Sequence, residues 1–458
     1  MNFVPTSLAV AVLAACIAGC ASEPFIDTPY VMYGEPGKKV FDHTFPAART
    51  PDVRVFYFTD RAAERVSGRG LEYGYTRGAS IDYGTATVSL ADGVTWDQLV
   101  TDSTTGVRSR SYSPRVTKID RAGGIPATMT YLDVVDGRLA RKPDAIADIK
   151  AEQARICEEL RPWLESTDRK EAVVFIHGFN NSFDDSILRL AQAWHFTGRQ
   201  GIPIVYSWPA GAPGLLAYAH DRESGEFTIV HLKLLLATLA ACPQIEKIQI
   251  LSHSRGTDVA VTALRELNAE VRGADGTGLL SQVLNLNSPA AREAVKTRPI
   301  YQTLKIDTLI LAAPDLDAEV FSQRFFGENM LQCVERLVVY FSEEDKALAW
   351  AEWLFSGRRG RLGAMKMSDF TPEQRTLIAQ LPCIQLIECN LTGYSSHSYF
   401  TQHPSALSDV LLLLQGDCPP GAKYGRPLGV PFPGAWSMDD NYLRPTHTPT
   451  TGQLNTPP

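Results

Sequence analysis

The sequence has no concentrated basic region, because its 44 Lys and Arg residues are scattered and outnumbered by 51 Asp and Glu residues. A mildly negative chain without a basic face is a poor ligand for phosphate backbones, so nucleic acid is not expected as a partner. The chain also has no Cys-x-x-Cys pair, which argues against a zinc site. Its ordinary apolar and charged fractions indicate a large globular core.

The N-terminus lacks an apolar run long enough to span a bilayer. Residues 8–19 are apolar and small, but they number about 12, and a spanning helix needs roughly 20. This length predicts a signal peptide over 1–19, although residues 1–6 contain no Lys or Arg.

The signal peptide ends in the run IAGC at 17–20, which resembles the lipobox of bacterial lipoproteins. The resemblance implies lipidation of Cys20 and a membrane anchor, and an ordinary signal peptide is the alternative. The following residue, Ala21, is not acidic, which in those lipoproteins favours the outer membrane. We therefore expect an envelope protein facing the periplasm.

Six further cysteines follow Cys20, and an even number in an oxidising compartment permits disulfide bonds. Six cysteines allow 15 pairings, and the sequence does not choose among them. They are Cys157, Cys242, Cys333, Cys383, Cys389 and Cys418.

Composition divides the rest of the chain into four parts. Residues 20–51 contain several prolines and little periodicity, which predicts a linker. A β-rich extension is expected over 52–143, with hairpins added to the edge of a sheet. A catalytic domain is expected over 144–418, and the Pro-rich residues 419–458 predict a disordered tail.

Short apolar runs alternate with amphipathic helical patterns through the predicted catalytic domain. Continuous apolar runs are typical of parallel strands that helices cover on both faces. The repeated units predict an α/β fold with a mostly parallel, doubly wound sheet. The strand candidates are residues 173–176, 204–208, 248–252, 308–312, 337–341 and 384–388.

The third of these strands leads into a helix through a sequence typical of a hydrolase nucleophile elbow. The elbow has the form Gly-x-Ser-x-Gly because the residues two before and two after the serine must be small. With Ser254 as nucleophile, these positions hold Ser252 and Gly256. With Ser252 as nucleophile, one of them would hold the bulky Ile250, so Ser254 is the candidate.

The loop after the first of these strands reads HGFN at 177–180 and predicts an oxyanion hole. Acyl transfer requires preorganised backbone N–H donors, one after the nucleophile and one from an early loop. The expected donors are the N–H groups of Arg255 and Phe179, and Gly178 would permit a close approach.

The triad partners are expected after the serine in the order acid, then histidine. His397 follows the last strong strand and is the candidate base. His177 precedes the serine, His253 adjoins it, and His403 lies at a helix start.

The acid candidate is Asp345, which follows the strand at 337–341. Asp315 and Asp317, after the preceding strand, are its rivals. Composition alone does not decide among the three.

Several further runs accompany the elbow in chain order, and they are VFYFTDR at 55–61, FIHGFN at 175–180, YSWP at 206–209, YAHDRES at 218–224, AAPD at 312–315, SEEDKAL at 342–348 and SHSYF at 396–400. Taken together, these motifs resemble a family of bacterial α/β-hydrolases catalogued as domain of unknown function number nine hundred. The resemblance spans roughly residues 53–414, and it implies the α/β-hydrolase fold and favours Asp345 over Asp315. The family usually has Gly and Met where this chain has Ser252 and Arg255.

The sequence thus predicts a serine hydrolase that needs no metal or organic cofactor and acts on a small ester or acyl substrate. An amidase or acyltransferase with the same triad is one alternative. The other is a non-catalytic envelope lipoprotein that uses the fold for binding.

Overall fold

The computed structural model describes residues 24–126, 132–214, 216–274, 278–348, 360–394, 397–416 and 418–445. The predicted signal peptide and Cys20 lie outside these ranges.

One large sheet organises the molecule, with the strand order β12-β13-β11-β10-β9-β8-β6-β7-β1-β2-β3, and β4 and β5 form a separate hairpin. The strands are β1 (Asp52–Ser67), β2 (Gly70–Ser89), β3 (Arg115–Ile125), β4 (Leu132–Val135), β5 (Arg138–Arg141), β6 (Glu171–Ile176), β7 (Ile202–Ser207), β8 (Lys247–His253), β9 (Ile306–Ala312), β10 (Arg336–Phe341), β11 (Ile384–Asn390), β12 (Gly429–Phe432) and β13 (Ala435–Asp439).

The strands from β13 to β1 in this order run parallel, whereas β2, β3 and β12 add antiparallel edges. All six strands predicted from apolar runs are present as β6 to β11. The strand β9 is buried along its whole length, as a parallel strand covered on both faces should be. The predicted α/β fold is therefore confirmed. The strand β1, assigned to the extension, shares this sheet because it pairs with β7.

Helices cover the sheet and bury two apolar clusters, one against each face. The helices are α1 (Glu35–Asp42), α2 (Trp96–Asp102), α3 (Pro143–Ser166), α4 (Phe183–His195), α5 (Ala217–Ala241), α6 (Gly256–Arg272), α7 (Leu279–Val283), α8 (Pro289–Thr297), α9 (Ile300–Leu304), α10 (Ala318–Ser322), α11 (Pro372–Ile378), α12 (Tyr399–Gln402) and α13 (Pro404–Gly416).

Helix α5 is long and apolar enough to cross a membrane by length and composition, but 78% of its most apolar window is buried inside the fold. It packs against α6. We therefore describe it as a core helix.

The chain reverses its direction across the sheet between β6 and β8. From β6 the chain moves to β7 on one side, and from β8 it moves to β9 on the other. Such a switch point leaves a crevice at the carboxyl ends of the two strands, where ligands of α/β proteins bind. The loops that follow β6 and β8 therefore face one another at this crevice.

The expectation of a linker before β1 is wrong for residues 24–51. Phe25 and Phe41 are buried, and the Phe25 ring stacks on Phe196 at 5.7 Å between ring centroids. The Val31 N–H donates to Ser408 Oγ at 3.1 Å. A few isolated apolar residues give no periodic signal, yet they fold this segment because the domain offers them an apolar surface.

The expectation of a disordered tail from Pro419 is wrong for residues 418–445. Strands β12 and β13 continue the sheet beyond β11. The Arg426 guanidinium is fully buried in an ion pair with Asp409 at 2.7 Å, and Tyr442 donates to the same carboxylate at 2.5 Å. Residues 446–458 lie outside the described residues.

A disulfide bond joins Cys157 of α3 to Cys242, directly after α5, across 85 residues of sequence. The remaining cysteines of the described residues are free, and they are Cys333, Cys383, Cys389 and Cys418. The sequence alone did not distinguish this pairing from the other possible ones.

Replacing Cys157 with Ser should lower the free energy of unfolding by about 2–5 kcal/mol, because the closed loop no longer restricts the unfolded chain. Denaturant melts of the oxidised proteins measure this loss. Cys418→Ser, which changes a free thiol, is the control and should melt like the wild type. If a reducing agent leaves the wild-type melt unchanged, the disulfide does not stabilise the fold.

Candidate active site

Ser254 lies in a short turn between β8, which ends at His253, and α6, which begins at Gly256. Its backbone φ is +52°, in the left-handed region that non-glycine residues rarely adopt. Two hydrogen bonds hold this conformation, from Ser254 N–H to Ala312 O (3.0 Å) and from Asp315 N–H to Ser254 O (3.2 Å). The turn therefore has the strained strand-to-helix geometry of a nucleophile elbow.

Small residues allow the elbow and the loop after β6 to approach closely. A Cβ atom on Gly256 would lie 2.3 Å from the His177 carbonyl oxygen, and one on Gly178 would lie 2.7 Å from Ser254 Cβ. Ser252 is fully buried beneath the turn. Space thus requires the glycine two residues after Ser254, and the small residue two before it is buried.

Ser254, His397 and Asp345 are joined by two hydrogen bonds. His397 Nε2 lies 2.7 Å from Ser254 Oγ, and His397 Nδ1 lies 2.8 Å from Asp345 Oδ2. The Asp345 side chain is fully buried and also accepts the Leu348 N–H at 3.1 Å. The two distances from the His397 ring nitrogens to Ser254 and Asp345 lie within the range expected of catalytic hydrogen bonds.

The rival acids have other partners. Asp315 accepts a hydrogen bond from Tyr218 Oη at 3.0 Å and forms an ion pair with Arg361 at 3.3 Å. Asp317 accepts two backbone N–H groups at the start of α10. Neither carboxylate is hydrogen-bonded to His397.

Two other histidines that the sequence offered have structural contacts. The His253 ring stacks on Phe400 at 4.6 Å and donates from Nε2 to the His397 carbonyl at 3.1 Å. Burial lowers the pKa of His253 well below its ordinary value, and the neighbouring His397 adds to this shift, so the ring is neutral. His403 Nε2 lies 3.0 Å from Asp440 Oδ1.

The two expected oxyanion donors have no partner in the described part of the chain. We call residues 177–181, which follow β6, the oxyanion loop. The backbone N–H groups of Phe179, in this loop, and of Arg255, after the nucleophile, donate to no protein group among the described residues. Both N–H groups adjoin the close contact between Gly178 and Ser254, so they are available as hydrogen-bond donors at the elbow.

Arg61, Asp221 and Tyr218 lie around the oxyanion loop, and reasoning from single residues missed them. Arg61 and Asp221 are hydrogen-bonded to the loop, and the Tyr218 ring packs against Phe179 at 5.5 Å between ring centroids. The only sequence signal for them is that they fall in the family motifs at 55–61 and 218–224.

Comparison with known proteins gives one match. The model of a family described as alpha/beta hydrolase of unknown function (DUF900) matches residues 152–414, more than half of the chain. No curated protein and no solved structure matches. The matched region contains the elbow, the oxyanion loop, Asp345 and His397.

Proposed function

We propose that this protein is a serine hydrolase of carboxylic esters. The premise is that the chain belongs to the family of α/β-hydrolases of unknown function. The observation that carries the proposal is the hydrogen-bonded chain from Ser254 through His397 to Asp345. The positive φ of Ser254 adds weight, because backbone strain at a single non-glycine residue is typical of functional sites.

In the proposed reaction, His397 Nε2 removes the proton of Ser254 Oγ as that oxygen attacks the substrate carbonyl. The carbonyl oxygen gains negative charge and accepts hydrogen bonds from the Phe179 and Arg255 N–H groups. The proton on His397 passes to the departing alcohol, leaving an acyl group on Ser254. Water, deprotonated by His397, then attacks the acyl group; the bond to Ser254 Oγ breaks, the proton on His397 returns to that oxygen, and the carboxylic acid leaves.

Asp345 serves this reaction by selecting the tautomer of His397. Its carboxylate accepts a hydrogen bond from the Nδ1–H group, so Nε2 carries no proton and accepts a hydrogen bond from the Ser254 hydroxyl. The carboxylate also stabilises the imidazolium that forms during the attack. Asp345 is the acid that we propose, because it contacts His397 and Asp315 does not.

Covalent labelling with a fluorophosphonate probe tests this proposal, followed by a panel of p-nitrophenyl esters of increasing acyl length and matched anilides. We expect labelling and turnover of esters, because an alcohol is a better leaving group than an amine. Equal turnover of anilides would instead indicate an amidase. A folded protein that is neither labelled nor active would contradict the proposal and favour a binding role.

We also propose that the protein is exported and anchored through Cys20, which lies outside the described residues. The disulfide between Cys157 and Cys242 supports export, since such bonds persist in oxidising compartments such as the bacterial periplasm.

Cys20→Ser, expressed in a bacterial host, should shift the protein from the membrane fraction to a soluble or unprocessed form, because the lipid attachment site is lost. Fractionation and incorporation of labelled palmitate measure the change. Cys418→Ser, a free cysteine of the globular part, should stay in the membrane fraction. If wild-type protein takes up no palmitate and the Cys20 variant fractionates unchanged, the chain is not a lipoprotein.

A further inference from the structure

Three of the family motifs lie outside both the proposed triad and the oxyanion loop, yet they meet at that loop. They are the runs at 55–61, 206–209 and 218–224. We propose that Arg61 and Asp221 are positioning residues that hold the oxyanion loop in place, so that the Phe179 N–H is aimed at the developing oxyanion. This inference rests on the proposed serine hydrolase function.

The Arg61 guanidinium group is hydrogen-bonded to several segments around the oxyanion loop. An arginine side chain has five N–H donors in a planar fork. In this protein there are five acceptors for them, at distances of 2.8 to 3.3 Å. The acceptors are Ser207 Oγ, Gly74 O, Ala210 O, His177 Nε2 and Asn181 O.

Arg61 forms no ion pair within the described part of the chain, although the carboxylates of Asp221 and Asp60 lie near enough to favour its charge. Only 2% of the residue is exposed, and its hydrogen bonds within the described residues all go to neutral groups. Burial lowers the pKa of Arg61 to about 10, so the guanidinium stays charged at neutral pH. A buried charge that contacts no carboxylate directly opposes folding, even when carboxylates lie nearby. Its presence at this position therefore fits a role in holding the loop better than a role in stability alone.

His177 connects Arg61 to the backbone of the oxyanion loop through hydrogen bonds at both ring nitrogens. His177 Nδ1 donates to the Gly178 carbonyl at 2.9 Å, which leaves Nε2 as the acceptor for Arg61. The ring stacks on Trp208 at 5.0 Å, and Trp208 Nε1 donates to the His177 carbonyl at 2.8 Å. Arg61 thus fixes the start of the loop through His177 and its end through the Asn181 carbonyl.

Asp221 holds the loop from the other side. Its buried carboxylate accepts the N–H of Asn180 at 2.9 Å and the N–H of Gly211 at 3.2 Å. Asn180 has a φ of +55°, so the backbone directly after Phe179 takes a left-handed conformation that needs support. With both ends held, the N–H of Phe179 remains a free donor within the described part of the loop.

Arg61→Lys tests the inference, since lysine keeps the charge but has three donors and no planar fork. Loss of one oxyanion donor lowers kcat about 10²–10³-fold in a well-studied protease, so we expect a loss of about 10²-fold. KM should change little, because the oxyanion forms only on the way to the transition state. The affinity for a trifluoromethyl ketone inhibitor should fall with kcat, whereas the affinity for the product acid should not.

Arg199→Lys is the matched control. Arg199 is also fully buried, donates to the carbonyls of Ala48 and Asp52, and precedes the amino end of β7 instead of facing the oxyanion loop. Both Lys variants should melt at lower temperature than the wild type, but only Arg61→Lys should lose kcat. Each kcat is normalised to the fraction of protein that the fluorophosphonate probe labels. Equal kcat in the two Lys variants would overturn the inference.

Asp221→Asn disturbs the oxyanion loop without changing Arg61. This variant tests the inference if the Arg61→Lys protein does not fold. It should lower kcat about tenfold with KM unchanged, because the Asn180 N–H loses a charged acceptor. A wild-type kcat in this variant would overturn the inference. Failure of the proposed function looks different, because the wild type itself would then resist the probe and hydrolyse no ester.

Discussion

Ser254→Ala is expected to lose ester hydrolysis by about 10⁶-fold in kcat, since removal of a serine nucleophile has that effect in a well-studied protease. Fluorophosphonate labelling should disappear with it. The fold should remain, because the one hydrogen bond that the Ser254 hydroxyl makes in the described part of the chain is with His397. Steady-state kinetics, probe labelling and a thermal melt together measure these outcomes.

Ser252→Ala is the matched control for the register of the elbow. The Ser252 hydroxyl is buried and donates to the Ile310 carbonyl at 3.0 Å, so its removal should lower stability slightly and leave labelling intact. If the Ser254→Ala enzyme keeps wild-type activity and the Ser252→Ala enzyme is inactive, then Ser252 is the nucleophile and the proposed assignment is wrong.

Asp345→Asn should lower kcat by about 10⁴-fold, the loss measured for the equivalent change in a serine protease. An asparagine at this position can donate its amide to His397 Nδ1, which would move the ring proton to Nε2. A protonated Nε2 cannot accept the proton of Ser254, so attack on the substrate becomes slow. Ester kinetics at saturating substrate measure the loss.

Asp315→Asn is the control for this variant, because Asp315 is also buried and lies after the neighbouring strand. It should lose the ion pair with Arg361, and with it some stability, but less than about tenfold in kcat. If Asp315→Asn loses more activity than Asp345→Asn, then Asp315 is the acid and the proposed triad is incorrect.

The parallel strands could be predicted because the apolar composition of each run indicates a buried strand by itself. A run such as 308–312 is apolar at every position, and β9 is buried at every position. The elbow could be predicted for a related reason, since Ser254 needs small neighbours whatever the rest of the fold does. The candidate base and acid follow from chain order, and the family motifs favoured Asp345 over Asp315.

The folded segments at 24–51 and 418–445 could not be predicted, because their stability is not local. Phe25 has no apolar partner at helical or strand spacing and is buried against Phe196, far along the chain. Arg426 reads as an exposed charge in a Pro-rich segment, and it is buried because Asp409 faces it. Local composition describes such residues as solvated, whereas long-range contacts decide their burial.

The sequence by itself determined the sheet-forming runs, the elbow at Ser254 and the order of the candidate triad, because these depend on properties of short segments. Only the tertiary structure decided that Cys157 pairs with Cys242, since pairing depends on which helices become neighbours. The same is true of Arg61, whose donors reach acceptors more than 100 residues away at His177 and Asn181. A charged side chain takes on such a role only when folding removes water from it and surrounds it with fixed acceptors.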